Sequence, residues 1–452
     1  MDDLHLLVLN GAATIKELPS SIEYLKGLHT LKLKDCINLE TIPRSMWSLT
    51  SIRYFDISGC SKLEALLENL ENLTHLTSLY ACRTSLSKLP SSIACWNNIY
   101  ELYLAFCNLT EIPEDLCCVS LLSNLDLRGN NFESLPASMK QFSGLKQLFL
   151  SNCNMLHSLP ELPWSLSYLE AINCKQLQSL PEIPSSPEKI DASEVEKLMV
   201  RICFIFTNCH SLDEKAMNVL ASAPLRFQRM ATAQEDKPTG FFNFCLPGSD
   251  LPNWVHYQSS GSSLTFDLPQ NWCFTSFIGF AIWAVIAFDE SFETQDLYIS
   301  CDCHFETNDG ERVDFSCNFN VIVGYFQDDP DHMVSINSDH VVFGSYFDAE
   351  MARLLKGDHT AVTFEFGSNY DWTSKYRKVK YCGVCPLYAQ AINQAKSKPS
   401  TFENFVNQGF WGTGDHVDTH ESQSETEMAV QSGGEEVEPN PKRICTNQIN
   451  TS

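Results

Sequence analysis

The sequence has few basic residues for its length. Over 452 residues, 31 Lys and Arg side chains stand against 56 Asp and Glu side chains, which gives a formal net charge of -25. A protein that grips a phosphate backbone through its overall field needs an excess of positive charge, so general nucleic-acid binding is disfavoured. Basic patches on a partner protein are the better targets for so acidic a chain.

The N-terminal residues also lack a signal segment, because no basic start and no long apolar run follow Met1. The 19 cysteines are odd in number and spread along the chain, unlike the compact framework of a small secreted domain. We therefore expect a reducing compartment, the cytoplasm. The uncharged run from Pro269 to Phe288 has acidic flanks and many β-branched and aromatic residues, so it predicts a buried strand rather than a membrane span.

Motifs of common catalytic sites are missing as well. The sequence has no His-Glu-x-x-His pattern and no recognisable Ser/His/Asp order. The close pairs Cys301/Cys303 and Cys382/Cys385 would in principle supply four thiolates to zinc, but Cys382 and Cys385 fall on opposite faces of one continuing strand. We expect reduced core thiols, with no metal, no cofactor and no catalysis on this chain.

The strongest positive signal is a repeat in residues 1–184. Eight apolar triplets follow the pattern Leu-x-x-Leu-x-Leu, and successive triplets begin 24, 24, 24, 23, 23, 23 and 21 residues apart. This spacing is typical of leucine-rich repeats, each with one short strand and a return segment. The triplets are Leu4/Leu7/Leu9, Leu28/Leu31/Leu33, Ile52/Phe55/Ile57, Leu76/Leu79/Ala81, Ile99/Leu102/Leu104, Leu122/Leu125/Leu127, Leu145/Leu148/Leu150 and Leu166/Leu169/Ala171.

Two further positions recur in each unit. Three residues after the triplet stands a small polar residue that can satisfy backbone groups buried by stacking: Cys36, Cys60, Cys107, Asn130, Cys153 or Cys174. An apolar residue followed by proline comes next and turns the chain into its return path, at Pro19, Pro43, Pro90, Pro113, Pro136, Pro160 and Pro181. The first repeat has no polar cap before it, so we expect the chain to be the C-terminal part of a longer protein.

The strand positions that do not enter the core predict a continuous concave surface. Exposed aromatic and arginine side chains on a rigid surface are typical of binding hot spots. The alternative is that these aromatic side chains bind no partner protein and only shield the edges of neighbouring apolar side chains from water. The candidate partner-binding residues are Lys32, Lys34, Arg53, Tyr54, Tyr80, Arg83, Tyr103, Arg128, Phe149 and Tyr168.

After residue 184 the repeat period stops, and the pattern of apolar residues changes. Residues 185–240 are interpreted as a post-repeat cap and linker, with a helix from Asp213 to Arg229 that Asp213 can cap. Residues 241–388 contain seven candidate strands without intervening helices, which predicts an antiparallel β-sandwich. The strands are Ser263 to Leu268, Phe277 to Phe288, Leu297 to Phe305, Arg312 to Phe319, His340 to Phe343, Ala361 to Phe366 and Val379 to Cys385.

Several segments carry a family resemblance. Phe244-Cys-Leu-Pro-Gly-Ser-Asp-Leu-Pro-Asn-Trp254, Phe277-Ile-Gly-Phe-Ala281, Val379-Lys-Tyr-Cys-Gly-Val384 and Phe206-Thr-Asn-Cys-His-Ser-Leu212, together with the Leu-Pro-Ser-Ser-Ile units at Leu18 and Leu89, resemble plant TIR-type nucleotide-binding leucine-rich-repeat (TNL) disease resistance proteins. The similarity is to the TMV resistance protein N-like type and covers residues 4 to 388. It implies a leucine-rich-repeat horseshoe of the α/β class, followed by an all-β C-terminal jelly-roll and immunoglobulin-like domain (C-JID) at residues 241–388.

The resemblance also implies a function. In that family the repeats and the C-JID bind a pathogen effector protein and hold the receptor's own nucleotide-binding region, and the TIR domain cleaves NAD after the receptor assembles. This sequence has no Gly-Lys dipeptide of a phosphate-binding loop, so nucleotide switching, NAD cleavage and oligomerisation would lie on sequence outside it. The expected role is effector recognition and autoregulation in plant defence.

Three alternatives stay open from the sequence. The first is a non-signalling repeat scaffold or decoy that regulates an endogenous protein partner. The second is an extracellular repeat receptor, which would carry glycans at Asn72 and Asn108. The third is a ubiquitin ligase, since Leu159-Pro-Glu-Leu-Pro163 resembles the repeats of bacterial ligase effectors, but the β-rich second half contradicts the helical catalytic domain of those enzymes.

The last segment, residues 389–452, is predicted to be a disordered acidic tail. Between Glu403 and Glu438 it has many acidic residues and no Lys or Arg, so it cannot bury enough apolar surface to order itself. The short basic patch Pro441-Lys-Arg443 is compatible with nuclear entry besides the cytoplasm.

Overall fold

The computed structural model describes residues 3–63, 70–181, 200–216 and 240–388, the last range with gaps at 253–254, 269–271, 273–276, 289–291, 295, 324–332, 348–354, 356–358 and 368–376. The first eight strands have three residues each and belong to the predicted repeats. They are β1 (Leu6–Val8), β2 (Thr30–Lys32), β3 (Tyr54–Asp56), β4 (Ser78–Tyr80), β5 (Glu101–Tyr103), β6 (Asn124–Asp126), β7 (Gln147–Phe149) and β8 (Tyr168–Glu170).

These eight strands form one parallel ladder in which each strand pairs with the next in the chain. The middle residue of a strand enters the core, as Leu102 of β5 and Leu125 of β6 do with no exposed surface. Neighbouring middle residues are register partners, for example Leu102 and Leu125. The predicted repeat register is therefore confirmed.

The return segments are short 3₁₀ helices. They span Ser20–Tyr24, Arg44–Ser48, Leu70–Asn72, Ser91–Cys95, Glu114–Cys118 and Ala137–Gln141. A proline precedes five of them in an extended conformation, as at Pro19 with φ -66° and ψ 143°, and its carbonyl accepts the first turn's hydrogen bond from the Ile22 N–H at 3.0 Å. The predicted leucine-rich-repeat solenoid is therefore confirmed, but the described returns are 3₁₀ helices and not the α-helices that an α/β class implies. Short 3₁₀ pieces suit the limited chain length between strands in repeats of 21 to 24 residues.

One position in each repeat has a left-handed backbone conformation, two residues after the last apolar position of the triplet. It is filled by Gly11, Asp35, Gly59, Arg83, Phe106, Gly129, Asn152 and Asn173, with φ between 55° and 77°. Glycine, asparagine and aspartate enter this region most easily, which explains why they dominate the position. Arg83 and Phe106 are held there against the ordinary preference of their side chains.

A ninth repeat strand, β9 (Val200–Ile205), was missed from the sequence. It pairs in parallel with β8, where Leu169 and Phe204 are register partners. Asn208 then has the left-handed φ of 62°, and the Cys209 thiol donates to the Ala171 carbonyl oxygen at 2.8 Å, as in the preceding repeats. The expectation that the period ends at residue 184 is wrong, because Cys209 stands 35 residues after Cys174 and the long spacing hides the repeat.

The same sheet continues from β9 into the C-terminal β region. The strands there are β10 (Gly240–Pro247), β11 (Tyr257–Ser260), β12 (Ser263–Asp267), β13 (Phe277–Phe288), β14 (Phe292–Thr294), β15 (Leu297–Thr307), β16 (Arg312–Ile322), β17 (Val334–Ile336), β18 (His340–Phe347), β19 (His359–Gly367) and β20 (Arg377–Tyr388). All seven predicted strands are present. β10 pairs in parallel with β9, and the order continues as β10-β18-β13-β20-β11.

A second sheet of the order β12-β19-β15-β16 is antiparallel, and β14 and β17 form a short pair. Residues of both sheets, such as Phe280 of β13, Phe305 of β15 and Phe364 of β19, share one hydrophobic cluster. The rings of Phe280 and Phe364 lie 5.1 Å apart between centroids at 75°. The two sheets therefore pack face to face, while their jelly-roll and immunoglobulin-like type stays a prediction.

The core has two parts. The first runs through the interior of the repeats and on beneath the C-terminal β region, where Phe204, Phe244 and Trp283 belong to it. The second lies between the two sheets of that region and reaches back onto the concave side of the last repeats, at Phe149 and Tyr168. The two halves of the chain therefore share both cores.

Other predicted features are only partly described. Asp213 caps a helical turn at residues 214–216, since its Oδ1 accepts the Ala216 N–H at 3.1 Å. The rest of the expected helix to Arg229, the other residues of the cap and linker at 182–199 and 217–239, and the tail at 389–452 lie outside the described residues. The run that ends at Phe288 forms the buried strand β13. No helix in the described part is long and apolar enough to cross a membrane.

Candidate functional site

The candidate site is the concave surface of the repeats. Because side chains alternate along a strand, the first and third residues of each three-residue strand face away from the core. The parallel register aligns these residues in rows, so that Tyr80 of β4 stands beside Tyr103 of β5, with Glu101 beside Ser78. Such a row can expose side chains of one chemical type to a partner over several neighbouring repeats.

Three tyrosines form a stack on this surface. The ring centroids of Tyr54 and Tyr80 are 4.9 Å apart, and those of Tyr80 and Tyr103 are 4.4 Å apart with an angle of only 11°. The Lys32 Nζ lies 5.1 Å from the centroid of the Tyr54 ring. Aromatic pairs of this geometry are worth about 0.5 to 1.5 kcal/mol each beyond their burial, so the half-buried stack is rigid before any partner arrives.

The phenols of the stack stay protonated at physiological pH. Burial, followed by the nearby Asp56 and Glu101 charges, raises the pKa of Tyr54 to about 12. The same kinds of cause raise the pKa of Tyr80 and of Tyr103 above the ordinary value. The Tyr80 hydroxyl donates to Glu101 Oε2 at 3.0 Å. The surface therefore offers neutral hydroxyl groups and apolar ring edges.

The acidic side chains of the surface are engaged within it. Arg128 donates to Asp126 through Nε at 3.0 Å and Nη2 at 2.9 Å, and both residues are buried. Glu170 accepts hydrogen bonds from the Ser151 hydroxyl at 2.6 Å and the Tyr168 hydroxyl at 2.9 Å. The Arg128 guanidinium is thus committed to Asp126, and the expectation that Arg128 is exposed for a partner is wrong.

The end of the surface nearest the C-terminal β region is covered. Phe149 and Tyr168 have only 1% and 5% of their surface exposed, and their rings lie 5.3 Å apart. Both belong to the second core, together with Ile172, Cys203 and Ile205. The expectation of exposed aromatic side chains is therefore wrong for Phe149 and Tyr168, because the second sheet packs over the last repeats.

The other predicted residues reach solvent. Lys34 and Arg53 are exposed, while Lys32 and Arg83 are half-buried like the three tyrosines. The guanidinium carbon of Arg83 lies 5.3 Å from the centroid of the Phe106 ring, beside the concave rows. Lys32, Lys34, Arg53, Tyr54, Tyr80, Arg83 and Tyr103 thus form one accessible area over repeats two to five, and their binding role stays a prediction.

Sequence reasoning missed the polar junction between the repeats and the C-terminal β region. The Thr207 hydroxyl donates to the Val321 carbonyl oxygen at 2.7 Å, and the Asn208 amide group donates to the Ser335 carbonyl oxygen at 2.8 Å. Asn243 on β10 exchanges two hydrogen bonds of 2.7 and 2.8 Å with the backbone of Asn320 on β16. The only sequence signal was the block that starts at Phe206, which resemblance singled out without a physical role.

His340 is the buried centre of this junction. Its Nε2 accepts the Asn208 backbone N–H at 3.0 Å, and its Nδ1 donates to the Ser338 carbonyl oxygen at 2.9 Å. These partners require the neutral imidazole with the proton on Nδ1. Burial lowers the pKa of His340 to about 4, which agrees with that tautomer. The histidine therefore links a repeat loop to β18 only while it is neutral.

The thiols considered as metal ligands are dispersed between the two cores. Cys301 and Cys303 lie in the second core with Cys317 and Cys382, whereas Cys385 belongs to the first core. Cys382 and Cys385 thus lie on opposite faces of β20, as predicted. Among the described residues no group of three or more His, Cys, Asp or Glu side chains is arranged to hold a metal ion, and each described cysteine is unbridged.

Comparisons with known proteins match both halves of the chain. The family model described as Disease resistance protein RPS4B-like, leucine-rich repeats, matches residues 2–207, and the C-JID domain model matches residues 246–393. The first match ends beyond β9, in agreement with a ninth repeat strand.

Curated relatives from Arabidopsis thaliana give the same result. Disease resistance-like protein DSC1 is 29% identical over 70% of this chain and 27% of its own length. Disease resistance protein RPS4B is 28% identical over 75% of this chain and 31% of its own length. Disease resistance protein RPP2B is 28% identical over 66% of this chain and 26% of its own length. The chain thus spans between a quarter and a third of the length of these relatives.

A solved structure covers a smaller share of this chain than these relatives do. The leucine-rich-repeat protein LIC12759 of Leptospira interrogans is 17% identical, with a TM-score of 0.30, and covers 56% of this chain and 69% of that protein.

Proposed function

Because the chain belongs to the plant TIR-type nucleotide-binding leucine-rich-repeat disease resistance proteins, as the repeat and C-JID part of one, we propose that it recognises a pathogen effector protein. The plant defence role is proposed from the relatives, of whose length this chain spans between a quarter and a third. The effector, the contact surface and the mechanism are the proposal.

One observation carries this proposal. The continuous sheet leaves Tyr54, Tyr80 and Tyr103 as a rigid stack on repeats three to five, with the exposed Arg53 and Lys34 beside it. Tyrosine and arginine dominate binding hot spots because they contribute large contact areas and hydrogen bonds at a small loss of conformational entropy. The second sheet covers Phe149 and Tyr168 on the last repeats, so an effector that extends from the tyrosine stack across repeat six would also contact the C-JID.

The proposed mechanism is differential binding. In a complete receptor the repeats and the C-JID would also hold the nucleotide-binding region in a closed state. An effector that binds the open state better shifts the population toward it, by no more than the difference between its two affinities. Neither matched domain is a catalytic domain, so we assign binding to this chain and leave NAD cleavage to a TIR region outside it. We propose the cytoplasm as the compartment.

The test is direct binding between the purified chain and a defined panel of pathogen effector proteins, followed by substitution in the stack. With the effector that binds, Tyr80→Ala should raise the Kd by about thirtyfold, as expected for a hot spot of about 2 kcal/mol. Tyr24→Ala is the matched control, because Tyr24 is a tyrosine with 65% of its surface exposed in the return segment Ser20–Tyr24, away from the concave strands. Phe149 is unsuitable for this test because it is a core residue.

A result in which Tyr80→Ala and Tyr24→Ala bind the effector equally would reject the proposed surface. If no effector binds and a specific plant protein binds through the same tyrosines, the scaffold or decoy alternative replaces the sensor. Co-expression in leaf tissue distinguishes the two further, because a sensor supports cell death only together with its effector and the signalling regions.

A further inference from the structure

The solvent-exposed charge of the concave surface is positive, although the chain has a net charge of -25. Lys34, Arg53 and Lys146 are exposed and Lys32 is half-buried, all in the rows that face away from the repeat core. These cations lie on repeats two, three and seven, and the Lys32 Nζ contacts the Tyr54 ring of the stack.

Most acidic side chains of the same rows do not offset this charge at the surface. Asp56, Asp126 and Glu170 have 7%, 0% and 0% of their surface exposed. The Asp56 carboxylate accepts the Ser58 N–H at 2.9 Å, and Asp126 and Glu170 have the partners described above. Glu101 accepts from Tyr80. These four carboxylates are therefore paired or hydrogen-bonded at the sheet face. Asp35, which follows Lys34, is exposed, but the exposed cations Lys34, Arg53 and Lys146 outnumber it.

One C-terminal segment of the same chain carries the opposite charge with no cation among its residues. Residues 403–438 contain nine Asp and Glu residues and no Lys or Arg. This segment follows β20, which ends at Tyr388 and lies ten strands from β3 in the order of the continuous sheet. Ten strand spacings amount to about 50 Å, whereas the 33 residues from Tyr388 to Glu421 extend to about 110 Å. The acidic segment can reach the cations without strain.

We propose that residues 403–438 bind the concave surface around Lys32, Lys34 and Arg53 of the same molecule. The attraction is between exposed charges, so each contact is weak, but the tether holds the segment at an effective concentration near the millimolar range. The contact does not depend on an effector. If the proposed function also holds, the effector must displace the segment, which would act as an internal competitor for the tyrosine stack.

Carbodiimide cross-linking of the full chain, read by peptide mass spectrometry, tests the contact, because it joins a lysine to a carboxylate only when the two touch. At low salt, Lys32 and Lys34 should join residues 403–438 at least about five times as often as Lys62 and Lys88 do. Lys62 and Lys88 are exposed lysines outside the concave rows, where they contact Asn38 and Glu111. In 1 M salt the Debye length falls to about 3 Å, so the excess should disappear.

A charge-reversal variant provides a second test of the proposed contact. Arg53→Glu keeps both lysines and should lower their cross-links to residues 403–438 by about fivefold, while Lys62→Glu should change them by less than about twofold. A mixture of ¹⁵N-labelled and unlabelled chains shows whether the joined peptides come from one molecule. Equal cross-linking of all exposed lysines, insensitivity to Arg53→Glu, or cross-links only between labelled and unlabelled chains would each overturn the proposal. No effector is present, so such a failure leaves the proposed function untouched.

Discussion

At the residue scale, stability rests on one small polar position in each repeat. The thiols of Cys36, Cys60, Cys107 and Cys153 donate to a carbonyl oxygen of the preceding repeat at 3.0 to 3.2 Å. Burial raises the pKa of the Cys60 thiol to about 12, so it remains a protonated donor. Stacking repeats bury these carbonyls away from water, and a thiol is small enough to reach them.

Asn130 should be the most sensitive of these positions. Its Nδ2 donates to the carbonyl oxygens of Leu104 and Leu127 at 2.8 and 2.9 Å, and its Oδ1 accepts from Cys107 and Leu109 backbone N–H groups. Asn130→Ala leaves these buried groups unpaired, so we expect a loss of about 3 kcal/mol or more in urea unfolding.

The neighbouring asparagine is the control for this prediction. The Asn131 side chain is exposed and donates one long hydrogen bond of 3.4 Å to Asn108 Oδ1, while its backbone N–H donates to the Leu109 carbonyl oxygen. Asn131→Ala keeps the backbone bond, so it should change the free energy of unfolding by less than about 0.5 kcal/mol. Similar losses for Asn130→Ala and Asn131→Ala would contradict the assigned role of the buried amide.

The left-handed position gives a second residue-scale prediction. A β-carbon on Gly129 would overlap the Phe106 ring, and φ is 65°, whereas at Gly11, with φ 70°, no atom lies within 4 Å of the added carbon. Gly11→Ala should therefore show only backbone strain, about 1 kcal/mol, and Gly129→Ala should lose at least about 1 kcal/mol more. Urea unfolding of the two variants measures this difference, and equal losses would mean that the ring moves aside freely.

At the element scale, β9 decides how the two halves of the chain join. It pairs with β8 on one side and β10 on the other, both in parallel. Phe204 on β9 contacts Phe244 on β10 with ring centroids 5.5 Å apart at 74°, within the first core. A strand that belongs to both ladders couples their folding, because neither half can lose it without exposing apolar surface of the other.

Truncation of Phe204 should weaken that coupling. Phe204→Ala is expected to cost about 3 to 5 kcal/mol and to separate the unfolding of the repeats from that of the C-terminal β region. Leu102→Ala, in the middle of the repeats, should cost about 2 to 5 kcal/mol without loosening the junction. Hydrogen exchange resolved by peptide measures both; equal protection changes in the two halves for both variants would argue against β9 as the coupling element.

At the scale of the whole molecule, one continuous sheet and a polar junction make a single body of the described repeats and the C-terminal β region. The junction contains one titratable group that must stay neutral. His340 faces His210, with ring centroids 6.3 Å apart, and follows Asp339, whose charge opposes the effect of burial only in part. Protonation of His340 at low pH should therefore weaken the junction.

The pH dependence has a definite sign. Because the folded pKa of His340 is about 4 and the ordinary value is 6.5, the unfolded chain binds the proton first as the pH falls. Stability from this group is complete above pH 6.5 and is lost toward pH 4, with about 2 kcal/mol gone at pH 5. His340→Gln cannot titrate, so its free energy of unfolding should fall by about 2 kcal/mol less than that of the natural chain between pH 7.5 and pH 5. Parallel pH profiles would exclude this role.

The sequence by itself determined the local features. Leucine spacing gave eight repeat strands, and the Leu-Pro pairs and the Cys/Asn position gave the turns, because each depends only on residues within one repeat. Alternating apolar residues likewise gave the seven strands of the second half. These patterns also identified Lys32, Lys34, Arg53, Tyr54, Tyr80, Arg83 and Tyr103 as accessible residues of one surface.

Only the tertiary structure decided how the two halves of the chain join and which residues of the concave surface are buried. β9 was hidden because a long spacing precedes it, and pairing on both sides is what makes it a repeat strand. Arg128, Phe149 and Tyr168 follow the same sequence pattern as exposed residues, yet they are buried because an ion pair and the second sheet cover them. A repeat pattern fixes which side of a strand a residue faces, whereas burial depends on what packs against that side from elsewhere in the chain.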